Sequence, residues 1–355
     1  MPRRPTRPTL EDVAAEAGVS RASASRALRG DGKVTPETVA RVQLAAAHLG
    51  YIPDMGAKAL ASGGSSIIGL LSRDPANPAH GLLYSRLQVE ARGAGVLLMG
   101  LTVATDDAPA TQMAALHQLI GLRPAGVIVA TAGVASEHLQ RFAPRLPMIR
   151  VARHEPDTRL HNIAYDEALN GRLIAERVAD AGHHDVCVIG RTDAVSPAEA
   201  VRTQWMQATL EQRGCRVRRI DLVESATTSG SPHHSPGGAP TVAISAFPDV
   251  VVDLVVSGEV TCLMCASDYL ALTVLRQLRQ RGLRVPDDVS VTGVDGVLPG
   301  LDLIGLDTVE LPVGDLAART ISTMVQLTAG DQSPEPTRIA LPGVLRRGST
   351  VSEVR

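Results

Sequence analysis

The stretch TLEDVAAEAGVSRASASRAL, residues 9–28, has the pattern of two short helices joined by a tight turn. Thr9 can cap the first helix, because its hydroxyl accepts from exposed backbone amides and Asp12, three residues later, complements the positive helix end. Gly18 allows the turn, and Ser20 can cap a second helix whose small residues permit close helix contact. The stretch therefore predicts a helix-turn-helix unit.

A third predicted helix follows this pair. Thr35 stands at its cap position and Pro36 at its first helical position, where a missing backbone amide does no harm. Apolar side chains then recur at helical spacing before Gly50, at Val39, Val42, Ala46 and Leu49. The three helices can therefore close a small all-α core.

The second predicted helix carries Arg21 and Arg26, a little over one turn apart on a face otherwise made of Ala and Ser. Small side chains let a helix approach the DNA major groove, and an arginine can form paired hydrogen bonds with guanine O6 and N7. Taken alone, a surface arginine is more often simply solvated. The helix-turn-helix context favours the DNA-reading interpretation.

Composition limits the class of protein. A chain of 355 residues, 44% hydrophobic and 20% charged, can form two or three compact units. The formal net charge is -2, but basic residues outnumber acidic ones up to Ser62, which favours nucleic acid as the partner of that end. No apolar run approaches the roughly 20 residues that cross a bilayer, and the basic start leads into a polar helix, so we expect a cytoplasmic protein without a membrane partner.

The four cysteines are too few for a disulfide scaffold. Cys262 and Cys265 lie in an apolar run and are predicted to be core residues. His233 and His234 are adjacent in a stretch poor in apolar residues, 225–240, which predicts a mobile loop with too few fixed ligands for a metal. We expect no metal and no cofactor.

From Ser66 onward, short apolar runs alternate with helical patterns. The runs that predict strands are 67–71, 96–99, 126–129, 148–151, 186–189, 262–265 and 289–292. Such alternation predicts parallel sheets flanked by helices. Two open sheets facing each other form a cleft at the carboxyl ends of their strands, an arrangement that suits a sensor and also an enzyme.

Several motifs resemble the lactose/galactose-repressor (LacI/GalR) family. In the N-terminal part they are LEDVA at 10–14, AGVS at 17–20, SRAL at 25–28, VTPET at 34–38 and LGYIP at 49–53. Later they are NIAYD at 162–166 with Gly171, AGHH at 181–184, ASDYLAL at 266–272 and RGLRVPDDVSVTGVD at 281–295. The resemblance implies an N-terminal all-α helix-turn-helix headpiece followed by an α/β periplasmic-binding-protein-like domain of two lobes with parallel sheets.

The resemblance also implies domain bounds. The headpiece would span 1–53, a hinge helix and linker 54–65, and an effector-binding and dimerisation domain 66–355. Within that domain the N-lobe would comprise about 66–164 and 296–326, and the C-lobe about 165–295 and 330–348. Without the family, residues 55–61 are an Ala-rich linker, and folding upon binding is consistent with both interpretations.

The DNA-binding positions follow from the resemblance residue by residue. Arg21 and Ala22 match the main base-reading positions, with Arg26 aiding them. Ser20, Ser23 and Ser25 are placed to contact phosphates, and Thr9, Tyr51 and Lys58 complete the predicted DNA-binding residues. Leu60 matches the leucine that the family inserts into the minor groove, which kinks DNA. A dimer would then read a pseudo-palindromic operator, because one short helix makes few base contacts.

The positions that match the family's effector contacts are Arg153, Asp166, Arg202, Asp268 and Asp295, with Trp205 as a candidate for stacking on a sugar ring. The alternative for each carboxylate is helix capping or a salt bridge between the lobes, and Asp268 in particular could cap the helix after its strand. The chain departs from the family pattern at Ala79-His80, Ser267, Val294 and Gly296. These departures lie where the family usually contacts its ligand and count against a conventional sugar, so the predicted effector is a sugar or a related metabolite.

Two other classes of function share this fold. A solute-binding protein for transport is disfavoured by the headpiece and by the missing export signal. An enzyme is disfavoured because we find no Gly-rich phosphate loop, Ser nucleophile elbow or metal-ligand spacing. We therefore predict a transcriptional regulator, a repressor with an activator as the alternative, that forms a homodimer or a tetramer, binds operator DNA and an effector, and has no catalytic residue.

Overall fold

The computed structural model describes residues 8–30, 33–52, 67–104, 107–155, 159–223, 241–243, 245–330 and 335–354. The chain divides into two compact units, Met1–Ser65 and Ser66–Arg355. The predicted hinge and linker over 54–65, with Lys58 and Leu60, and the predicted loop over 225–240, with His233 and His234, lie outside the described ranges.

The first unit contains α1 (Leu10–Glu16), α2 (Arg21–Arg29) and α3 (Pro36–Leu49). The predicted caps are confirmed: Thr9 forms a reciprocal capping box with Asp12, and the Ser20 hydroxyl accepts from the amide of Ser23. Gly18 adopts φ 66°, a left-handed conformation that glycine reaches without steric penalty, and so forms the turn between α1 and α2.

Small side chains fill the core of this unit. The buried residues are Val13, Ala14, Ala17, Ala24, Ala27, Val42, Ala45 and Ala46. Because six of these eight are alanines, the helices approach closely. The exposed residues of α2 include no large apolar side chain.

The second unit contains two large parallel sheets. The first has the strand order β12-β5-β4-β3-β1-β2. Its strands are β1 (Ile67–Arg73), β2 (Leu97–Val103), β3 (Gly126–Ala130), β4 (Met148–Val151), β5 (His161–Tyr165) and β12 (Arg338–Leu341). The helices of this lobe are α4 (Pro78–Gly93), α5 (Pro109–Gly121), α6 (Ser136–Phe142) and α12 (Val313–Thr328). We call this the first lobe.

The second lobe is built on a sheet of order β10-β9-β6-β7-β8. Its strands are β6 (Asp185–Arg191), β7 (Arg216–Val223), β8 (Thr241–Ala243), β9 (Cys262–Cys265) and β10 (Ser290–Thr292). The helices are α7 (Glu167–Asp180), α8 (Pro197–Gln212), α9 (Phe247–Val256) and α10 (Asp268–Gln280), with the short α11 (Leu301–Ile304) beyond β10. The predicted fold class, with parallel sheets flanked by helices, is confirmed.

The chain passes between the lobes three times, and the crossings lie side by side. The first follows β5, the second runs through β11 (Thr308–Glu310), and the third runs through β13 (Val344–Arg346). β11 and β13 pair antiparallel, and the amide of Asp166 donates to the carbonyl of Leu341 at 2.8 Å. The three crossings are therefore joined laterally by backbone hydrogen bonds.

The structure differs from one of the predicted lobe bounds. Residues 330–348 were predicted in the C-lobe, but β12 pairs with β5 in the sheet of the first lobe, with Ala340 opposite Ala164. The reason is that α12 lies against β5 and β4, so the chain that leaves it reaches the open edge of that sheet before it crosses.

None of the helices in the described part of the chain is long and apolar enough to span a bilayer.

Candidate functional site

The exposed face of α2 is formed by Arg21, Ala22 and Arg26. On the opposite face, Ala24 and Ala27 are buried against α1 and α3. Burial of small residues on one side thus holds two arginines and an alanine outward on the other. This is the surface that a helix needs to enter a major groove.

The guanidinium of Arg21 is held by a neighbour on α1 in this structure. Arg21 Nε lies 2.7 Å from Glu11 Oε1, and the two side chains are 70% and 59% exposed. An ion pair this exposed contributes less than about 1 kcal/mol, so a base or phosphate can replace it. Sequence reasoning missed Glu11, although it directly precedes the capping aspartate.

Ser20 and Ser23, two of the predicted phosphate contacts, lie at the start of α2, and Thr9 lies at the start of α1. Ser20 Oγ accepts from the Ser23 amide at 3.1 Å and lies 2.9 Å from Ser23 Oγ. Thr9 Oγ1 accepts from the Asp12 amide at 3.3 Å, and hydrogen bonds from Thr9 lower the pKa of Asp12. Ser25 is half-buried within α2, and Tyr51 packs against the headpiece core.

A cavity of about 120 Å³ lies between the lobes of the second unit. The first lobe contributes Ser72 and Arg73 from the end of β1, His80 from α4 and Arg153 from the end of β4. The second lobe contributes Arg191, Glu199, Arg202 and Asp295, with Glu167 from the start of α7. As expected for parallel sheets, the carboxyl ends of the strands form the walls.

Arg202 is the most strongly paired of these side chains. Its Nε and Nη2 donate to the two oxygens of Glu167 at 2.7 and 2.9 Å, and Nη1 lies 3.5 Å from Asp295 Oδ1. Burial opposes the charge on Arg202, but the carboxylates of Glu167 and Asp295 outweigh it and raise the pKa of the guanidinium. Burial raises the pKa of Asp295 well above its usual value, while Arg202 opposes that shift.

Two further ion pairs line the cavity. Arg191 Nη1 donates to Glu199 Oε1 at 2.8 Å, and the Arg191 amide donates to the same carboxylate at 3.1 Å. Arg153 Nε lies 2.7 Å from Glu155 Oε1. Each of Arg153, Arg191 and Arg202 therefore has a carboxylate partner, while Arg73, also at the cavity wall, donates to the carbonyl of Val195.

Of the six predicted effector contacts, Arg153, Arg202 and Asp295 line this cavity, and Asp166, Trp205 and Asp268 do not. Asp166 caps α7 by accepting from the Leu169 amide at 2.9 Å, and its neighbour Glu167 faces the cavity instead. Trp205 lies on the outer surface of α8, 38% exposed, where its ring centroid is 4.9 Å from the Arg172 guanidinium carbon.

Asp268 is fully buried behind the cavity wall. It accepts from Thr308 Oγ1 at 2.6 Å and from the Gly296 amide at 2.7 Å, and burial raises its pKa. Ser267 caps α10 by accepting from the Leu270 amide, so Asp268 is not the cap. Asp268 thus joins α10 to the second crossing between the lobes.

Sequence reasoning also missed Ser72 and His80 as cavity residues. The Ser72 hydroxyl is buried and has no hydrogen-bond partner within the described ranges. Burial, with the nearby charge of Arg73, lowers the pKa of His80 to about 4, so the ring is neutral near pH 7. Ser72 comes directly after the predicted strand 67–71, and His80 lies in the segment that follows. Because ligands bind at the carboxyl ends of parallel strands, this position could have identified both residues.

No group of three or more His, Cys, Asp or Glu side chains that could hold a metal ion occurs among the residues for which the structure gives positions. The polar groups of the cavity are instead placed to donate to and accept from an organic ligand.

Two family models match the chain. Residues 9–54 match "Bacterial regulatory proteins, lacI family", and residues 175–350 match "Periplasmic binding protein-like domain". The HTH-type transcriptional regulator DegA of Bacillus subtilis is 25% identical over 354 residues, covering 96% of this chain and 98% of DegA. GalR of Escherichia coli is 26% identical over 345 residues, covering 96% and 95%.

Solved structures show the same fold. A lac repressor dimer bound to operator and the anti-inducer ONPF superposes with a TM-score of 0.79 at 22% identity, covering 98% of this chain and 100% of that one. A complex of the transcriptional regulator CelR with cellobiose has a TM-score of 0.64 at 21% identity and covers 97% and 100%.

Proposed function

The chain belongs to the lacI family of bacterial regulatory proteins, and on that premise we propose that it is a repressor whose headpiece reads an operator under the control of a ligand bound between the lobes. The observation that carries the proposal is the outward face of Arg21, Ala22 and Arg26 on a helix capped by Ser20. The matched relatives are transcriptional regulators, which supports regulation without catalysis.

In the proposed complex, Arg21 reads guanine and Ala22 contacts an apolar base edge. Arg26 assists Arg21, and Ser20, Ser23 and Ser25 bind phosphates at the start of α2, with Thr9 and Tyr51 flanking them. Lys58 contributes a phosphate contact and Leu60 a minor-groove wedge. Arg21 must leave Glu11 to reach the base, and the high exposure of that ion pair supports such an exchange.

The functional protein is a homodimer in this proposal. One recognition helix of nine residues reads only a few bases, so twofold repetition on a pseudo-palindrome is needed for specificity. The proposed division is a headpiece over 1–53, a hinge over 54–65 and a ligand-binding and dimerisation domain over 66–355. Such a regulator acts on DNA in the bacterial cytoplasm.

The proposed ligand is a small polar molecule such as a sugar or a related metabolite. Ion pairs at the cavity wall offer both hydrogen-bond donors and acceptors. This arrangement suits a ligand with hydroxyl groups better than a ligand that carries only a charged group. Arg153, Arg202 and Asp295 are the proposed contacts, together with the Ser72 hydroxyl, which has no hydrogen-bond partner among the residues that the structure describes. The other three predicted contacts are proposed to have structural roles. Asp166 caps α7, Asp268 joins α10 to the second crossing, and Trp205 lies on the outer surface of α8.

The test is selection of bound sites from random duplex DNA by the purified protein, with the Arg21→Ala protein in parallel. Enrichment of a pseudo-palindrome by the wild type, and a weaker preference at fixed positions of each half-site for the variant, supports the proposal. The same motif with the same preference for both proteins overturns the assignment of α2. A thermal-shift screen of sugars and related metabolites on the full chain then identifies the ligand.

A further inference from the structure

Three exposed arginines line one shallow groove on the first lobe, far along the chain from the headpiece. Arg123 follows α5, while Arg141 lies in the last turn of α6 and Arg145 in the loop after it. Ile120 and Phe142 form the floor between them. We call Arg123, Arg141 and Arg145 the arginine edge, because all three precede the first residues of β3 or β4 at the strand-start edge of the sheet.

The charges of the arginine edge are not neutralised by the protein. None of the three guanidinium groups has an ion pair or hydrogen bond to any residue that the structure describes. The matching edge of the second lobe is different, because Arg216 pairs with Asp185 at 2.5 Å and Arg218 pairs with Glu259. At the strand-start edge, the arginines Arg123, Arg141 and Arg145 of the first lobe, which are unpaired among the described residues, therefore contrast with the paired arginines of the second lobe.

The arginine edge lies close to Ile67, the first described residue of the second unit. The Ala125 amide donates to the carbonyl of Ile67, the first residue of β1, at 2.7 Å, and Arg123 is two residues before Ala125. The Val127 amide donates to the Pro147 carbonyl at 2.9 Å, and Arg145 is two residues before Pro147. Only residues 53–66 separate Ile52 from Ile67 along the chain.

We propose that the arginine edge binds the phosphates of duplex DNA. A guanidinium matches a phosphate group in charge and can form two parallel hydrogen bonds with it. The arginine edge belongs to the same chain as the headpiece. When the headpiece binds DNA, duplex DNA is therefore the polyanion available to the arginine edge. The proposal rests on the headpiece binding DNA, but its test has a separate readout.

The experiment measures the affinity of the full-length protein for duplex DNA between about 50 and 200 mM salt. The wild type is compared with a variant that carries Arg123→Gln, Arg141→Gln and Arg145→Gln together. Because each neutralised phosphate contributes a slope of about 0.9 in log affinity against log salt, loss of three contacts lowers the slope by about 2 to 3. Sequence preference stays that of the wild type, since phosphate contacts do not read bases.

The matched control carries Arg276→Gln, Arg279→Gln and Arg347→Gln, which remove three exposed charges that also lack partners among the described residues. Its salt slope should equal that of the wild type. Lysine at positions 123, 141 and 145 should restore most of the slope.

Equal slopes for the glutamine variant and the control overturn the proposal, including the case in which the edge instead binds an acidic protein. The proposed function fails separately if the wild type selects no preferred sequence. The slope difference between the wild type and the glutamine variant can still be observed in that case. Thermal unfolding of each variant, expected at the wild-type temperature because the side chains are exposed, verifies that the fold is unchanged.

Discussion

Glu167 and Arg202 form a bidentate ion pair that joins the first turn of α7 to α8, with both side chains less than 5% exposed. Removal of one partner leaves the other charge buried, and that is far more costly than the pair itself is favourable. The nearest remaining carboxylate, Asp295, is 3.5 Å from a different nitrogen of Arg202.

We therefore expect Glu167→Ala to lower the free energy of unfolding by about 3 to 5 kcal/mol, as measured by urea denaturation. The matched control is Asp180→Ala, which breaks the exposed pair between Asp180 and Arg213 and should change stability by less than about 1 kcal/mol. Equal losses in the two variants would show that the buried pair has no special role.

Acid should destabilise the protein through His80. Its pKa is about 4 in the folded protein against an ordinary value of 6.5, so the unfolded chain binds more protons between these pH values. The free energy of unfolding therefore falls as the pH falls through this window, by about 3 kcal/mol for a fully expressed shift.

The measurement for His80 is urea denaturation from pH 7.5 to pH 4 on the wild type and on His80→Gln. His161 and His183 also have lowered pKa values, but they titrate in both proteins, so the difference between the curves isolates His80. Parallel curves would contradict a neutral, buried imidazole at this position.

Ser72 gives a prediction in which stability and ligand affinity change in opposite directions. Its buried hydroxyl has no partner within the described part of the chain, so Ser72→Ala should raise the free energy of unfolding of the ligand-free protein by about 1 kcal/mol. The same change should weaken binding of the ligand found by thermal-shift screening by about 3- to 10-fold, because the ligand loses one hydrogen bond.

Thr292 offers the control for Ser72. Its hydroxyl is also buried without a partner among the described residues, but it lies in β10 and does not line the cavity. Thr292→Val should likewise raise stability and leave ligand affinity unchanged. If both variants bound the ligand as tightly as the wild type, Ser72 would be excluded as a contact.

The headpiece provides a paired test on Arg21 and Glu11. Arg21→Ala should weaken binding to the selected operator by about 1 to 3 kcal/mol and relax the preference at one base pair of each half-site. Glu11→Gln should tighten binding by up to about 1 kcal/mol, because Arg21 no longer exchanges a carboxylate for the base. Fluorescence anisotropy at constant salt measures both, and tighter binding by Arg21→Ala would refute the assigned role.

Much of this fold is predictable because it depends on local patterns. The helix caps Thr9, Ser20 and Thr35 act within one turn, and each apolar run predicted as a strand is a strand in the structure. The strand β7 was not predicted, because the predictions followed continuous apolar runs and its sequence RVRRIDLV is interrupted by charged residues. β12 was assigned to the wrong lobe because its partner β5 is far away in sequence.

The cavity was predictable only in part, for reasons of geometry. Asp166 and Glu167 are adjacent in sequence. A difference of one residue in where α7 begins decides which carboxylate caps the helix and which one binds Arg202. The partners of Asp268, namely Thr308 and the Gly296 amide, come from a crossing segment that no local pattern places nearby. Trp205 was chosen for its ring, but the helix face that carries it points away from the cavity.

The three crossings between the lobes limit how the two lobes can move. Because β11 pairs with β13 and Asp166 is bonded to Leu341, the crossings act as a narrow ribbon rather than as three independent strings. Strands joined in this way bend together more readily than they slide past one another, so we expect the lobes to move mainly by hinge bending. Molecules of different chemistry that set the same angle between the lobes would then give the same signal.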